Sequence, residues 1–158
     1  MTRSGVKRSI LITKAPFCRT LSRLGTDVQS VLKILSCLPA QGANVDLVAR
    51  LHSNNSVATR AAFEKSRLFG IVRITEGIVA FTHDRHQEAA RGLILEKDRS
   101  RFLADMARKL EAEGPDMIFV RADLLADALT VGTLDWSSIE ISQLSKLYLP
   151  GHRNVPRI

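Results

Sequence analysis

The hydrophobic pattern of this chain changes period twice, and that change restricts the folds open to it. Val28, Val31, Leu32, Leu35 and Leu38 recur at helical spacing until Pro39 stops the run. Gln41-Gly42-Ala43-Asn44 reads as a turn, and Val45, Leu47, Val48 and Leu51 make a second short helix ending near His52. Ser53-Asn54-Asn55-Ser56 supplies a turn and a cap. A third helix is predicted over 57–67, burying Val57, Ala61 and Ala62, with Phe63 and Leu68 as further core candidates. The period then shortens. Gly70-Ile71-Val72-Arg73-Ile74 and Ile78-Val79-Ala80-Phe81 are strand-like, and Thr75-Glu76-Gly77 joins them as a hairpin.

Helical spacing returns at His83 and runs to about Leu95. Asp98 is a cap candidate for a helix carrying Phe102, Leu103, Met106, Ala107 and Leu110, which ends before Gly114-Pro115. Met117 to about Leu129 forms the next, and Ser137 or Ser138 begins a last one that breaks at Pro150-Gly151. The expectation is a mostly α protein in three parts: a basic, poorly ordered segment 1–25, a winged-helix-like domain 26–95, and a helical-hairpin region 96–158. Three helices followed by a β-hairpin is the winged-helix order, with the third helix in the recognition position. The later αα-hairpins resemble the start of an α-solenoid that stops short, without a clean tetratricopeptide repeat.

Charge narrows the function classes. The net charge is +7, but six basic residues and no acid lie between Met1 and Thr26. The remainder carries 17 Lys and Arg against 16 Asp and Glu, close to neutrality. The high isoelectric point therefore belongs to the tail, and the body lacks the electrostatic footprint of a nucleic-acid binder. Cys18 and Cys37 form no disulfide framework and no CxxC pair, which fits reduced thiols in the cytoplasm. Cys37 sits on an apolar helix face as a core residue. No apolar run is long enough to span a membrane.

The most chemical-looking string is Phe81-Thr82-His83-Asp84-Arg85-His86-Gln87-Glu88-Ala89-Ala90. His83 and His86 at i, i+3 invite a metal, but zinc needs three or four ligands and neither His52 nor His152 is placed to help. His83-Asp84 resembles the acceptor pair of sensor kinases, yet the usual following Pro is missing. The better reading is structural: Thr82 as N-cap, Asp84 in the first turn, Phe81 anchoring the strand end, and Arg85 or Gln87 bonding back to earlier elements. GxxxxGK[ST], GxGxxG and GxSxG do not occur. No catalytic, cofactor or metal residues are assigned.

The same string resembles a segment of the AAA/STAND-type signalling ATPase modules found in multidomain hybrid sensor histidine kinases of two-component systems. There, Phe-x-His-Asp-Arg-x-Gln-x-Ala-Ala closes a winged-helix subdomain. The matching positions are Phe81, His83, Asp84, Arg85, Gln87, Ala89 and Ala90, while His86 departs from the apolar or Tyr-like residue usual at its place. Val31–Leu38, Leu68–Val72 and Ile141–Gly151 also resemble family segments, so the similarity covers roughly residues 22–155. It implies a non-catalytic regulatory or interaction module, part of a larger signalling protein whose Walker motifs lie elsewhere. ATP hydrolysis and phosphotransfer are not carried over. Protein partners or further domains are expected, with nucleic acid and membrane disfavoured. The alternative is a winged-helix DNA-binding regulator, whose third helix would present Thr59, Arg60, Glu64, Lys65 and Arg67, with Arg73 on the wing.

Overall fold

A computed structural model describes residues 16–130, which form seven helices and a small three-stranded antiparallel sheet. The chain divides between Leu95 and Glu96 into two compact units.

In the first unit, α1 occupies residues 16–22, followed by α2 (Thr26–Ser36), β1 (Ala43–Asn44), α3 (Val45–His52), α4 (Ser56–Leu68), β2 (Val72–Thr75), β3 (Ile78–Phe81) and α5 (Asp84–Gly92). The helix starts follow local chemistry. Asn44 caps α3 by accepting from the Asp46 amide at 2.8 Å, and Asn55 caps α4 by accepting from the Ala58 amide at 3.0 Å. Each side chain satisfies an amide that the first turn leaves without a partner. Thr26, by contrast, is the first residue of α2, and Gly25 before it offers no side-chain cap.

Strand order is β1-β3-β2. Val72 faces Phe81 and Thr75 faces Ile78 across the hairpin. Glu76 and Gly77 close it with φ of 52° and 79°, the two positive values of a turn whose twist matches the strands. The stretch 41–44, expected to be only a turn, contributes Ala43 and Asn44 as a third strand against Val79 and Ile78. Periodicity does not reveal a two-residue strand; a neighbouring edge creates it. Gly42 makes that pairing possible, because a Cβ there would lie 2.5 Å from the Val79 carbonyl oxygen.

α4 packs on α2, α3 and β2, and the core between them holds Val31, Leu32, Leu35, Val48, Leu51 and Phe63, all at most 2% exposed. Burying each such side chain stabilises the fold by about 1.5–3 kcal/mol relative to exposure. The expected inner face of the third helix is corrected here. Val57 and Leu68 are 77% and 79% exposed and Ala61 is exposed, while Thr59, Ala62, Phe63 and Ser66 are buried. The physical reason is competition: apolar residues lie around most of this helix, and Phe63, the largest side chain, takes the core.

Of the segment expected to be poorly ordered, 1–25, residues 16–22 form α1. Leu21 is fully buried and Leu24 is 6% exposed, so two leucines three apart join the core despite the basic residues between and around them. Gln29 fixes the connection by donating to the Ser22 and Leu24 carbonyls at 3.1 and 2.8 Å.

In the second unit, α6 (Glu96–Glu111) is followed by a 3-10 turn (Pro115–Met117) and α7 (Ile118–Thr130). Ser100 Oγ donates to the Ala128 carbonyl at 2.9 Å and Arg121 Nε to the Ala107 carbonyl at 3.2 Å. The start of one helix meets the end of the other, so the pair is antiparallel. Leu103, Met106, Ala107 and Leu110 face Leu124, Leu125 and Ala128 across a buried seam, as the helical spacing of α6 predicts. α6 begins two residues before Asp98, which lies in the first turn where a carboxylate favours the helix dipole. The helix expected from Ser137, and the Ile141–Gly151 string, lie outside the described residues.

Candidate functional site

Two regions of the first unit compete for a functional role: the joint between β3 and α5, which carries the His-rich string, and the outward face of α4.

At the joint, β3 ends in Phe81, which is half-buried; the deep positions are Val79 and Ala80. Thr82 does not cap α5. His83 holds the cap position and makes no side-chain cap bond. The Thr82 amide donates to the Ile71 carbonyl at 3.0 Å, and its Oγ1 lies 2.7 Å from the Gly70 carbonyl, 3.1 Å from that of Ile71 and 2.9 Å from His86 Nδ1. A hydroxyl has one proton, and carbonyls have none to give. The short contact to Gly70 uses the Thr82 proton, so the contact to His86 needs a proton on Nδ1. The hydrogen-bond network thus assigns the Nδ1–H tautomer to the neutral ring. Phe17 of α1 meets the His86 ring edge to face at 5.0 Å, and the His83 ring is tilted at 5.6 Å. Burial, and then the neighbouring His83, hold the His86 imidazole below its ordinary value.

The rest of the string faces two ways. His83, Asp84, Arg85 and Glu88 are exposed, and Ala89 and Ala90 are buried at 2% and 0%. Gln87 reaches back to α2, its Nε2 donating to the Ser36 and Leu38 carbonyls at 3.3 Å each, and Arg91 Nη2 donates to Ser36 at 3.2 Å. Two side chains one turn apart therefore satisfy carbonyls at the C-terminus of α2, where a cation also favours the dipole. Sequence reasoning named Gln87 for this kind of bond but missed Arg91. The signal was the i, i+4 spacing of two long donors.

No group of three or more His, Cys, Asp or Glu residues is gathered for a metal among the described residues. His52 lies beside Ser53 Oγ at 3.3 Å. Cys37 is buried at 5% exposure, with its sulfur 4.0 Å from Ser36 Oγ. No helix among the described residues is long and apolar enough to cross a membrane. In the second unit, an open depression of about 490 Å³ is lined by Asp98, Arg101, Phe102, Asp105 and Arg108, but the Arg108–Asp105 pair at 3.0 Å is one turn of α6 closing on itself.

The outward face of α4 is different in kind. Of the polar residues assigned to it from sequence, Thr59 is instead fully buried, and its Oγ1 has no hydrogen-bond partner among the described residues. The other four remain outside. Arg60 pairs with Asp46 of α3 at 2.7 Å and Arg67 with Glu64 at 2.8 Å. Between and beyond them stand Val57, Ala61, Leu68 and, at the helix end, Phe69, which is 57% exposed.

Comparison of the chain with protein-family models, with curated proteins and with solved structures finds no match.

Proposed function

We propose that this chain is a non-catalytic interaction module, built on a winged-helix unit and working within a signalling assembly. The observation that supports the reading is the element order α2-β1-α3-α4-β2-β3 with sheet order β1-β3-β2; in a winged helix of this order α4 would hold the recognition position and β2-β3 the wing. The resemblance of Phe81–Ala90 to the closing string of signalling ATPase modules supports the setting. The packing of that string supports a structural role for it, since Gln87 ties α5 to α2 and His86 packs between Thr82 and Phe17 of α1. The helical hairpin of α6 and α7 fits the first turn of a helical array.

A protein partner is favoured over DNA by the character of α4. Large apolar side chains, Val57 and Leu68, stand in its outward face among the basic ones, and phosphates set against them would gain nothing from their desolvation.

The test has two arms. Purified full-length chain should turn over ATP at background rate and show no salt-sensitive affinity for mixed-sequence duplex DNA beyond what its N-terminal basic residues supply. A photo-crosslinking residue placed at 68 in cells should give a discrete protein adduct that the same residue at 85 does not. ATP turnover above background, or duplex binding that survives neutralisation of Arg3, Lys7, Arg8, Lys14, Arg19 and Arg23, would overturn the reading.

A further inference from the structure

We infer that the outward face of α4 is a docking site for an acidic amphipathic helix of another protein. This deepens the interaction-module reading and rests on it.

The argument begins with spacing. Val57, Ala61, Glu64 and Leu68 follow one another at intervals of four, three and four residues. That is the seam of a heptad repeat, the d-a-d-a stripe along which one helix packs on another. All four positions are exposed, with Val57 at 77% and Leu68 at 79%, and the stripe runs about 16 Å at 1.5 Å per residue. The opposite positions of the same helix, Thr59, Ala62, Phe63 and Ser66, are the ones committed to the core. A single helix thus serves two faces, and the outer one has the geometry of a helix seam without a helix on it among the described residues. Phe69 prolongs the apolar surface past the C-terminus.

Charge then identifies the occupant. In this register the two positions preceding each a residue, the g positions, are Arg60 and Arg67, and the e position following Glu64 is Lys65. Every charged flank of the seam is basic. Residues at e and g set partner choice by pairing across the interface. A second copy of this chain would set Arg60, Lys65 and Arg67 against the same cations in either orientation, and like charges exclude it. Duplex DNA would place phosphates against Val57 and Leu68, with no gain from desolvating them. An acidic helix satisfies both terms: its apolar stripe covers the seam, and its e and g carboxylates meet the basic flanks. Lys65 has no carboxylate partner among the described residues, and Arg60 and Arg67 sit in surface pairs of the weak, solvent-screened kind that an incoming carboxylate can join. Glu64, held by Arg67 within its own turn, is the polar interruption that fixes register.

The probe is a synthetic peptide of about three heptads with Leu at a and d and Glu at e and g. Its own like charges keep it from pairing with itself. It is titrated into isotopically labelled full-length chain while amide shifts are followed. Three controls run beside it: the same peptide with Lys at e and g, a scramble of the same composition, and a mixed-sequence duplex. Shifts centred on α4 are expected, with the Lys peptide and the scramble at least about tenfold weaker. Leu68→Glu should weaken binding about tenfold or more and Lys65→Glu about threefold, while melting curves confirm that both variants fold. Equal binding of the Lys peptide or the scramble overturns the inference. So do absence of binding up to millimolar peptide, or tighter binding of duplex on α4. Shifts confined to another face also overturn it, yet leave the interaction-module reading standing; ATP turnover would remove that reading without bearing on the seam.

Discussion

The joint at 81–90 and the outward face of α4 invert the usual relation between motif and function. The joint has the residues that suggest chemistry: two histidines, an aspartate, an arginine. Its geometry leaves His83, Asp84 and Arg85 exposed and spends their neighbours on local structure. Thr82 holds the approach to α5, His86 fills a half-buried niche against Phe17, and Gln87 and Arg91 satisfy the end of α2. The α4 face has no motif at all, yet it exposes Val57 and Leu68, which a helix in a finished surface would rarely show together. Residue types that look reactive are common at joints because joints need polar side chains to close backbone groups. Exposed apolar residues at seam spacing lack such an explanation within the unit.

The comparison can be broken by substitutions that cross it. The largest effect is expected on the inner side of α4, where Phe63→Ala should cost about 3–5 kcal/mol in chemical denaturation, because it empties a fully buried site. If Leu68→Glu on the outer side costs as much, the assignment of the two faces is wrong; at 79% exposure it should change stability by no more than about 0.5 kcal/mol.

At the joint, Gln87→Ala should cost about 1 kcal/mol by the same measurement, because the Leu38 carbonyl loses its donor while that of Ser36 keeps Arg91. Peptide binding to α4 should be unchanged in that variant. Thr59→Val should stabilise by about 1 kcal/mol, since it removes a buried hydroxyl with no partner at nearly constant volume. A loss on this substitution would mean that Thr59 makes a bond in solution.

The smallest effect is on pH dependence. His86 has a lowered value in the folded state, so the unfolded chain binds the proton more readily. Stability from this residue is complete above its unfolded value near 6.5 and declines as pH falls below it toward the folded value. His86→Gln should flatten the fall in melting temperature between about pH 7 and pH 5. An unaltered slope would place the acid sensitivity elsewhere.

Much of the fold was legible in the chain. The period of Val28–Leu38, the cap within Ser53–Ser56, the hairpin at Glu76-Gly77 and the α6 stripe each follow from local rules that no tertiary contact overrides. The helical residues 16–22 were not, because Leu21 and Leu24 carry too few apolar neighbours to outweigh the surrounding positive charge in a window of sequence. Nor was β1, which exists only because β3 passes beside it. At the joint, the sequence pointed to Gln87 as a back-bonding residue but could not name Ser36 and Leu38 as acceptors 51 and 49 residues away.

What the sequence determined by itself was the order of helices and hairpin, the confinement of excess charge to the N-terminal stretch, and the lack of any familiar nucleotide or hydrolase motif. What only the tertiary structure decided was which side of α4 faces in. Val57, Ala61, Ala62, Phe63 and Leu68 lie around most of its circumference, so the helix has no clear apolar face of its own. The choice was made by α2, α3 and β2, which close on the side where Phe63 fills the space between them, and the remaining apolar residues were left at the surface in a line.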